Sequence, residues 1–439
     1  MISAPTSTAP TSTAPTSTAT TATTTGAAPA PPTLTKVRGA FVLLLGALTA
    51  IGPLTIDLYL AAFPAITTDL ATTQGAVQLT IAATLAGLAI GQLVIGSLSD
   101  ALGRRRPLIV SLALYVAFSV AIVFAPSVSV LAVLRFGQGL TAAAGMVLSM
   151  AIVRDSFHGT QVGKVIARLM LVVGVAPILA PVIGAQLLLL GSWRMMFVVL
   201  AGFGLVLLAL AIFVVPESLP VERRRSGGLG AALRSYGSLI TDFSFLGLAL
   251  LSGLYMAALF TYVSGATFVF QEQYGLSAQQ FALVFTSGAI AVTAGSQING
   301  ALIGRVHPAT ILRVAVLSGV VLAAAMVASS LLDLGMVALI VLLVLTLLTA
   351  GFVMPSVPTI ALQANPHRAG SAAALLGALQ FGLGAAISPL SGAFGPTTAL
   401  SMTVVMFGSI VAAAVLLFLL RRTLTPQPAT EKVLARSGQ

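Results

Sequence analysis

The sequence predicts an all-α polytopic membrane protein, with twelve transmembrane helices in two six-helix bundles, and three observations carry that reading. Hydrophobic residues make up 58% of the 439-residue chain and charged residues only 7%, against about 25% charged in a soluble domain. Mean hydropathy is +1.07. Apolar runs of about 20 residues, long enough to cross a hydrocarbon core of roughly 30 Å, recur along almost the whole chain. The basic residues between those runs fall almost entirely on one side. Buried core helices would need a polar shell around them, and the sequence encodes none.

The chain begins with a tail, residues 1–38, built on repeats of APTST. It has neither the basic start nor the apolar core of a signal peptide, and its Ala/Thr/Pro/Ser bias cannot bury enough surface to offset the entropy of ordering, so a disordered cytoplasmic tail is expected. Apolar windows then lie near 40–63, 77–97, 107–124, 129–152, 166–190 and 194–215, forming an N-terminal bundle over 39–215. A cytoplasmic linker loop follows over 216–242. The windows resume near 243–265, 280–302, 311–331, 335–357, 370–391 and 397–420, a C-terminal bundle over 243–420 that leaves a cytoplasmic tail at 421–439. Gly300 and the pair Gly304-Arg305 echo Gly96 and Gly103-Arg104 in the other half. Two such halves are the plan of a parallel-repeat transporter with a site near the membrane midplane between them.

Counting spans from a cytoplasmic N-terminus puts every Lys and Arg on the inner side except Arg135, inside a span, and Arg194, beside the single tryptophan Trp193. That asymmetry orients both termini to the cytoplasm. It also gives the high pI of about 11.0 a membrane meaning: the charge holds loops at anionic lipid and implies no nucleic-acid partner. Cysteine is absent, so thiolate metal sites, disulfides and thiol nucleophiles are excluded. His158, His307 and His367 fall in inner loops without metal-ligand spacing, and no Gly-rich Lys-Ser/Thr phosphate loop occurs. No cofactor or metal is expected.

Of the ten acidic residues, only Asp57 falls well inside a predicted span. An ionisable side chain at that depth costs at least about 2.5 kcal/mol, so it is a functional candidate by default. With the first run centred near Ile51, Asp57 lies about 9 Å toward the outside and Arg135 roughly 8 Å toward the same side, at 1.5 Å per residue. The two buried charges are therefore expected to share a depth and face one cavity, as a proton-coupling pair or, alternatively, as a static ion pair.

The segment GSLSDALGRRRPL, 96–108, resembles the signature loop between helices 2 and 3 of the major facilitator superfamily, through Gly96, Leu98, Asp100, Gly103, Arg104 and Arg105; Ala101 replaces a usual basic residue. The resemblance implies that this loop, with Gly96, Asp100, Gly103, Arg104 and Arg105, is a cytoplasmic gating motif. LAVLRFGQGLTAAAG, 131–145, resembles the superfamily pattern in which an arginine precedes a glycine by four residues, which implies a proton-transfer role for Arg135. APILAPVIGA, 176–185, resembles the helix-5 motif of drug antiporters and retains Pro181 and Gly184, with Ala176, Ala180 and Ala185 where glycine is common. IDLYLAAFP, 56–64, together with MVLSMAIVRD, SWRMMF and PESLP, resembles the Bcr/CflA family of drug:proton antiporters, with Ala61 in place of a common proline.

The resemblance implies the major facilitator fold and proton-coupled efflux of lipophilic drugs, phenicol- or bicyclomycin-type or multidrug, by a monomer in the bacterial cytoplasmic membrane. Its partners would be a small lipophilic substrate, protons and lipid. Helices 7 and 11 border the central cavity in that superfamily, which makes Tyr262 and Gln380 the expected substrate contacts. Two rivals stand beside this reading: a proton-coupled carrier of one endogenous metabolite, since fold does not fix substrate, and a non-transporting membrane sensor. An intramembrane enzyme would need a second convergent catalytic group in the spans, and none is present.

Overall fold

The computed structural model describes residues 39–224, 228–393 and 395–422. The APTST tail lies outside the described residues, as does the second tail beyond 422. The helices are α1 (Gly39–Asp57), α2 (Phe63–Asp69), α3 (Gln74–Leu102), α4 (Arg105–Val123), α5 (Val128–Ser156), α6 (Thr160–Leu190), α7 (Arg194–Phe213), α8 (Gly228–Ile240), α9 (Phe243–Thr267), α10 (Ala278–Leu302), α11 (Pro308–Leu331), α12 (Met336–Gln363), α13 (Ala369–Ile387) and α14 (Ala399–Leu419). Among the described residues the sole β pairing is an isolated bridge between Ile303 and Val306. Twelve stretches are long and apolar enough to cross a membrane, α1 and α2 together forming the first, Gly39–Asp69. Their outward faces carry exposed Leu43, Phe213, Leu283 and Val321, side chains that suit lipid and would aggregate in water.

The chain starts its helices with side-chain oxygens that accept otherwise orphaned N–H groups. Thr73 opens α3, Ser127 α5 and Asp242 α9, while Ser277 with Gln280 and Thr398 with Ser401 form reciprocal caps on α10 and α14. His307 accepts from the Ala309 N–H at the start of α11, which gives this loop histidine a structural task. Between α3 and α4 the chain turns through Gly103 at φ +89, and the repeat position Gly304 has φ +90. A side chain is strained in that left-handed region, so the glycine echo between the halves has a backbone cause.

The first half packs α3 on α5, α4 on α7 and α1 on α6; the second packs α10 on α12, α11 on α12 and α9 on α13 and α14. The halves meet along α3 with α13 and α6 with α10. We call the end bearing the 96–108 loop the basic end, and the other the Trp193 end.

Two elements differ from expectation. The first span is not one helix: α1 stops at Asp57, a 3-10 turn covers Leu60–Ala62, and α2 resumes at Phe63. Pro64 explains the break, because its ring would clash with the Leu60 carbonyl four residues back and it has no N–H to donate, whereas the first turn of α2 tolerates it. Asp57 consequently sits about 4.5 Å from the middle of the full 39–69 span, not 9 Å. The linker over 216–242 is likewise more than a loop. Within it α8 buries Tyr236 and Leu239, and the Tyr236 hydroxyl donates to the Leu93 carbonyl at 3.2 Å and lies 3.4 Å from the Ser97 hydroxyl, both on α3.

Candidate functional site

A cavity of about 930 Å3 lies between the halves. At the basic end its lining reaches Asp100, Arg154, His367 and Arg368, of which Arg154, His367 and Arg368 are exposed. At mid-depth it is bounded by Asp57 of α1, Tyr262 of α9, Phe285 of α10 and Gln380 of α13. Much of the remaining wall is sulfur and hydrocarbon, with Met146, Met150, Met170, Met256 and Met354 among its residues. Unbranched thioethers adapt to irregular shapes and make favourable contacts with aromatic rings, so the wall suits apolar molecules of varied outline.

Both expected cavity residues line it. The Tyr262 ring stacks on Phe285, with centroids 5.2 Å apart, and its hydroxyl donates to the Phe285 carbonyl at 3.4 Å. Gln380 donates to the Ser252 hydroxyl at 2.5 Å. Gln297, a polar wall residue on α10, also faces the cavity.

Asp57 is 6% exposed and takes part in none of the salt bridges among the described residues. Arg135 is elsewhere. It is fully buried, does not line the cavity, and is not paired with Asp57, so the expectation that both charges face one cavity holds for the carboxylate alone. Its guanidinium donates to the Thr55 carbonyl at 2.9 Å and to the Gln138 amide oxygen at 2.5 Å, and lies 4.2 Å from the centre of the Tyr59 ring. Thr55 is in the last turn of α1, where carbonyls lack helical donors and the macrodipole favours a cation. Arg135 thus caps the helix end that carries Asp57, two residues away.

The antiporter-like motif meets the same place. Pro181 lies within α6, and one turn on, Gly184 leaves no room for a Cβ against the Leu58 carbonyl, the residue after Asp57. Tyr59 completes the neighbourhood, its hydroxyl 3.0 Å from that of Thr80 on α3.

At the basic end the 96–108 loop is tied by charge. Arg104 donates to Asp100 at 2.6 Å, to Asp155 at 2.9 Å and to Ser99 at 2.7 Å. Burial alone pulls the Arg104 guanidinium down, but its bonds to Asp155 and Asp100 hold it above its ordinary value. Glu217 accepts from the backbone N–H of Arg104 at 2.8 Å and of Arg105 at 3.3 Å, and Arg105 donates to the Ile212 carbonyl at 2.6 Å. Gly96 lines the cavity, and at Gly103 a Cβ would strike the Glu217 carboxylate. Asp155 and Glu217 were not singled out from the sequence, although they belong to the MVLSMAIVRD and PESLP segments. The available signal is that both acids lie at the ends of apolar runs, among basic residues.

The Trp193 end is closed by contacts across the halves. Gln74 bonds Glu272 and accepts from the Thr397 N–H at 2.7 Å, while Gln78 donates to the Thr397 hydroxyl at 2.8 Å. Thr267 donates to the Leu60 carbonyl and Gln271 to that of Ala61, each at 3.1 Å, and Phe63 packs on Phe268.

Two six-helix halves around a cavity open at one end and sealed at the other define a multi-pass membrane transporter. The chain belongs to the Major Facilitator Superfamily, whose profile matches residues 43–389, and within it to the Bcr/CflA drug-resistance transporters. It is 40% identical over 385 residues to an uncharacterized MFS-type transporter, YdgK, of Bacillus subtilis strain 168, covering 87% of this chain and 96% of that one. It is 30% identical to a bicyclomycin resistance protein homolog of Haemophilus influenzae, over 86% of this chain and 95% of that one. Among solved structures, a bacterial homolog of the lysosomal transporter Spinster, inward-facing and unoccupied, shares the fold with TM-score 0.67 at 16% identity, covering 89% of this chain and 99% of that one.

Proposed function

We propose that this transporter expels lipophilic drugs, of phenicol or bicyclomycin type or more broadly, from the cytoplasm in exchange for protons. The observation that carries the reading is a carboxylate with no salt-bridge partner among the described residues, Asp57, on the wall of a methionine- and aromatic-lined cavity. The basic end is the cytoplasmic face, with both termini inside, because the basic residues gather there. The closed Trp193 end is then the outer gate, and the conformation faces inward.

In this cycle substrate reaches the cavity from the cytoplasm and favours the ionised form of Asp57, releasing its proton inward. After the halves rock, Asp57 takes a proton from outside and substrate leaves. Arg135 takes part in the coupling by fixing the end of α1 that carries Asp57, through its bond to the Thr55 carbonyl. One charge moving through 100 mV supplies about 2.3 kcal/mol, enough for about a fifty-fold gradient of a neutral substrate. Asp100, Arg104, Arg105, Gly96 and Gly103 form the inner gate. The relative named for bicyclomycin resistance supports the substrate class, and a single chain with its own central cavity is sufficient as a monomer.

The test is chloramphenicol accumulation in cells expressing the chain. Wild type should lower accumulation and raise resistance, Asp57→Asn should do neither at equal membrane abundance, and a proton uncoupler should erase the difference. Full efflux by the Asn variant would remove Asp57 from the mechanism.

A further inference from the structure

The break in the first span is held from two directions. Its own half contributes the Arg135 bond to Thr55 and the packing of Gly184 against Leu58, contacts that travel with the half when it moves as a body. The other half contributes the bonds from Thr267, at the end of α9, and from Gln271, in the π-helical turn Phe268–Gln273 that follows. These two cannot survive separation of the halves at the Trp193 end. The carbonyls they serve lie three and four residues after Asp57. In a continuous helix the Leu60 carbonyl would accept from residue 64, but Pro64 has no N–H. Within the 3-10 turn the Phe63 N–H also serves the Leu60 carbonyl, so Thr267 is a second donor, supplied by the opposite half, and rewinding the helix could not put a residue-64 N–H in its place.

We infer that Thr267 and Gln271 are positioning residues that hold the backbone after Asp57 in one arrangement while the Trp193 end is closed, so that opening this end is felt directly at the carboxylate. The inference rests on the proposed protonation of Asp57. It explains why the first span is broken one residue beyond that carboxylate, and why the donors come from the opposite half. The charged or titratable groups facing this stretch are Arg135 of α5, Tyr115 of α4, whose hydroxyl meets Thr55, and Tyr262 of α9. Elements α3, α6, α7 and α10 face it with Thr80, Gly184, Phe197 and Phe285, none of which titrates.

The test is an infrared titration of the full-length protein in lipid bilayers, following the protonated-carboxyl band that Asp57→Asn removes. Thr267→Val and Gln271→Leu should each move its midpoint by about half a pH unit, a threefold change in proton affinity. Thr267→Ser, which restores the hydroxyl, should titrate as wild type does. Unmoved midpoints in both Thr267→Val and Gln271→Leu would overturn the inference while leaving Asp57 as the proton site. So would a Thr267→Ser midpoint shifted as far as that of Thr267→Val. If no titrating band is lost in Asp57→Asn, the protonation reading itself falls, and this inference with it.

Discussion

Asp57 and Arg135 do different work, although sequence alone pairs them. A charge within an apolar run is conspicuous in any sequence, so both residues stood out. The partner of Arg135 did not, because it is the Thr55 carbonyl, a backbone group that every residue carries, freed only where α1 ends. The planar guanidinium reaches Thr55 and Gln138 at once while lying against the Tyr59 ring, a combination a lysine ammonium cannot reproduce. Arg135→Ala should therefore lower stability by about 1–3 kcal/mol, the cost of leaving buried acceptors unpaired. Arg135→Lys should recover little of that loss. Thermal unfolding in detergent checks both, and a lysine variant as stable as wild type would leave charge as the sole requirement.

At the scale of elements, the informative feature is the interruption between α1 and α2. The run 40–63 reads as one apolar helix, and only Pro64 hints at a break whose carbonyls are then served from the end of α9 and the turn that follows it. Gly184 fits against that break, and a Cβ there would press on the Leu58 backbone, which cannot move aside. Gly184→Ala should cost about 1–3 kcal/mol through overpacking and reduce transport. Gly202→Ala on α7, where a Cβ meets open space, should cost neither. The α3–α4 turn is a second such element. Its glycine, aspartate and arginine spacing was legible, whereas Asp155 and Glu217 come from distant segments that only the fold brings together. Asp155→Asn removes one of the two charge partners of buried Arg104 and should slow turnover several-fold while chloramphenicol affinity holds. A large loss of affinity at normal turnover would contradict an inner-gate role.

Over the whole molecule, the twelve spans follow from hydropathy, which acts on every residue of a run and so survives errors at its ends. The conformation does not follow, since which end is closed depends on small differences between two packings of the same halves. In this structure Gln74 and Thr397 meet at the Trp193 end. Because the chain contains no cysteine, Gln74→Cys with Thr397→Cys can be joined by a short thiol cross-linker without a background. Cross-linking should block transport and leave chloramphenicol binding from the basic end intact, and continued transport by the linked protein would show that this end need not open. The most direct measurement of coupling is proton release on adding chloramphenicol to the purified, weakly buffered protein. Release from wild type that disappears in Asp57→Asn is the expected result; equal release from both proteins, or binding by wild type with no release at all, would contradict competition between substrate and proton at Asp57.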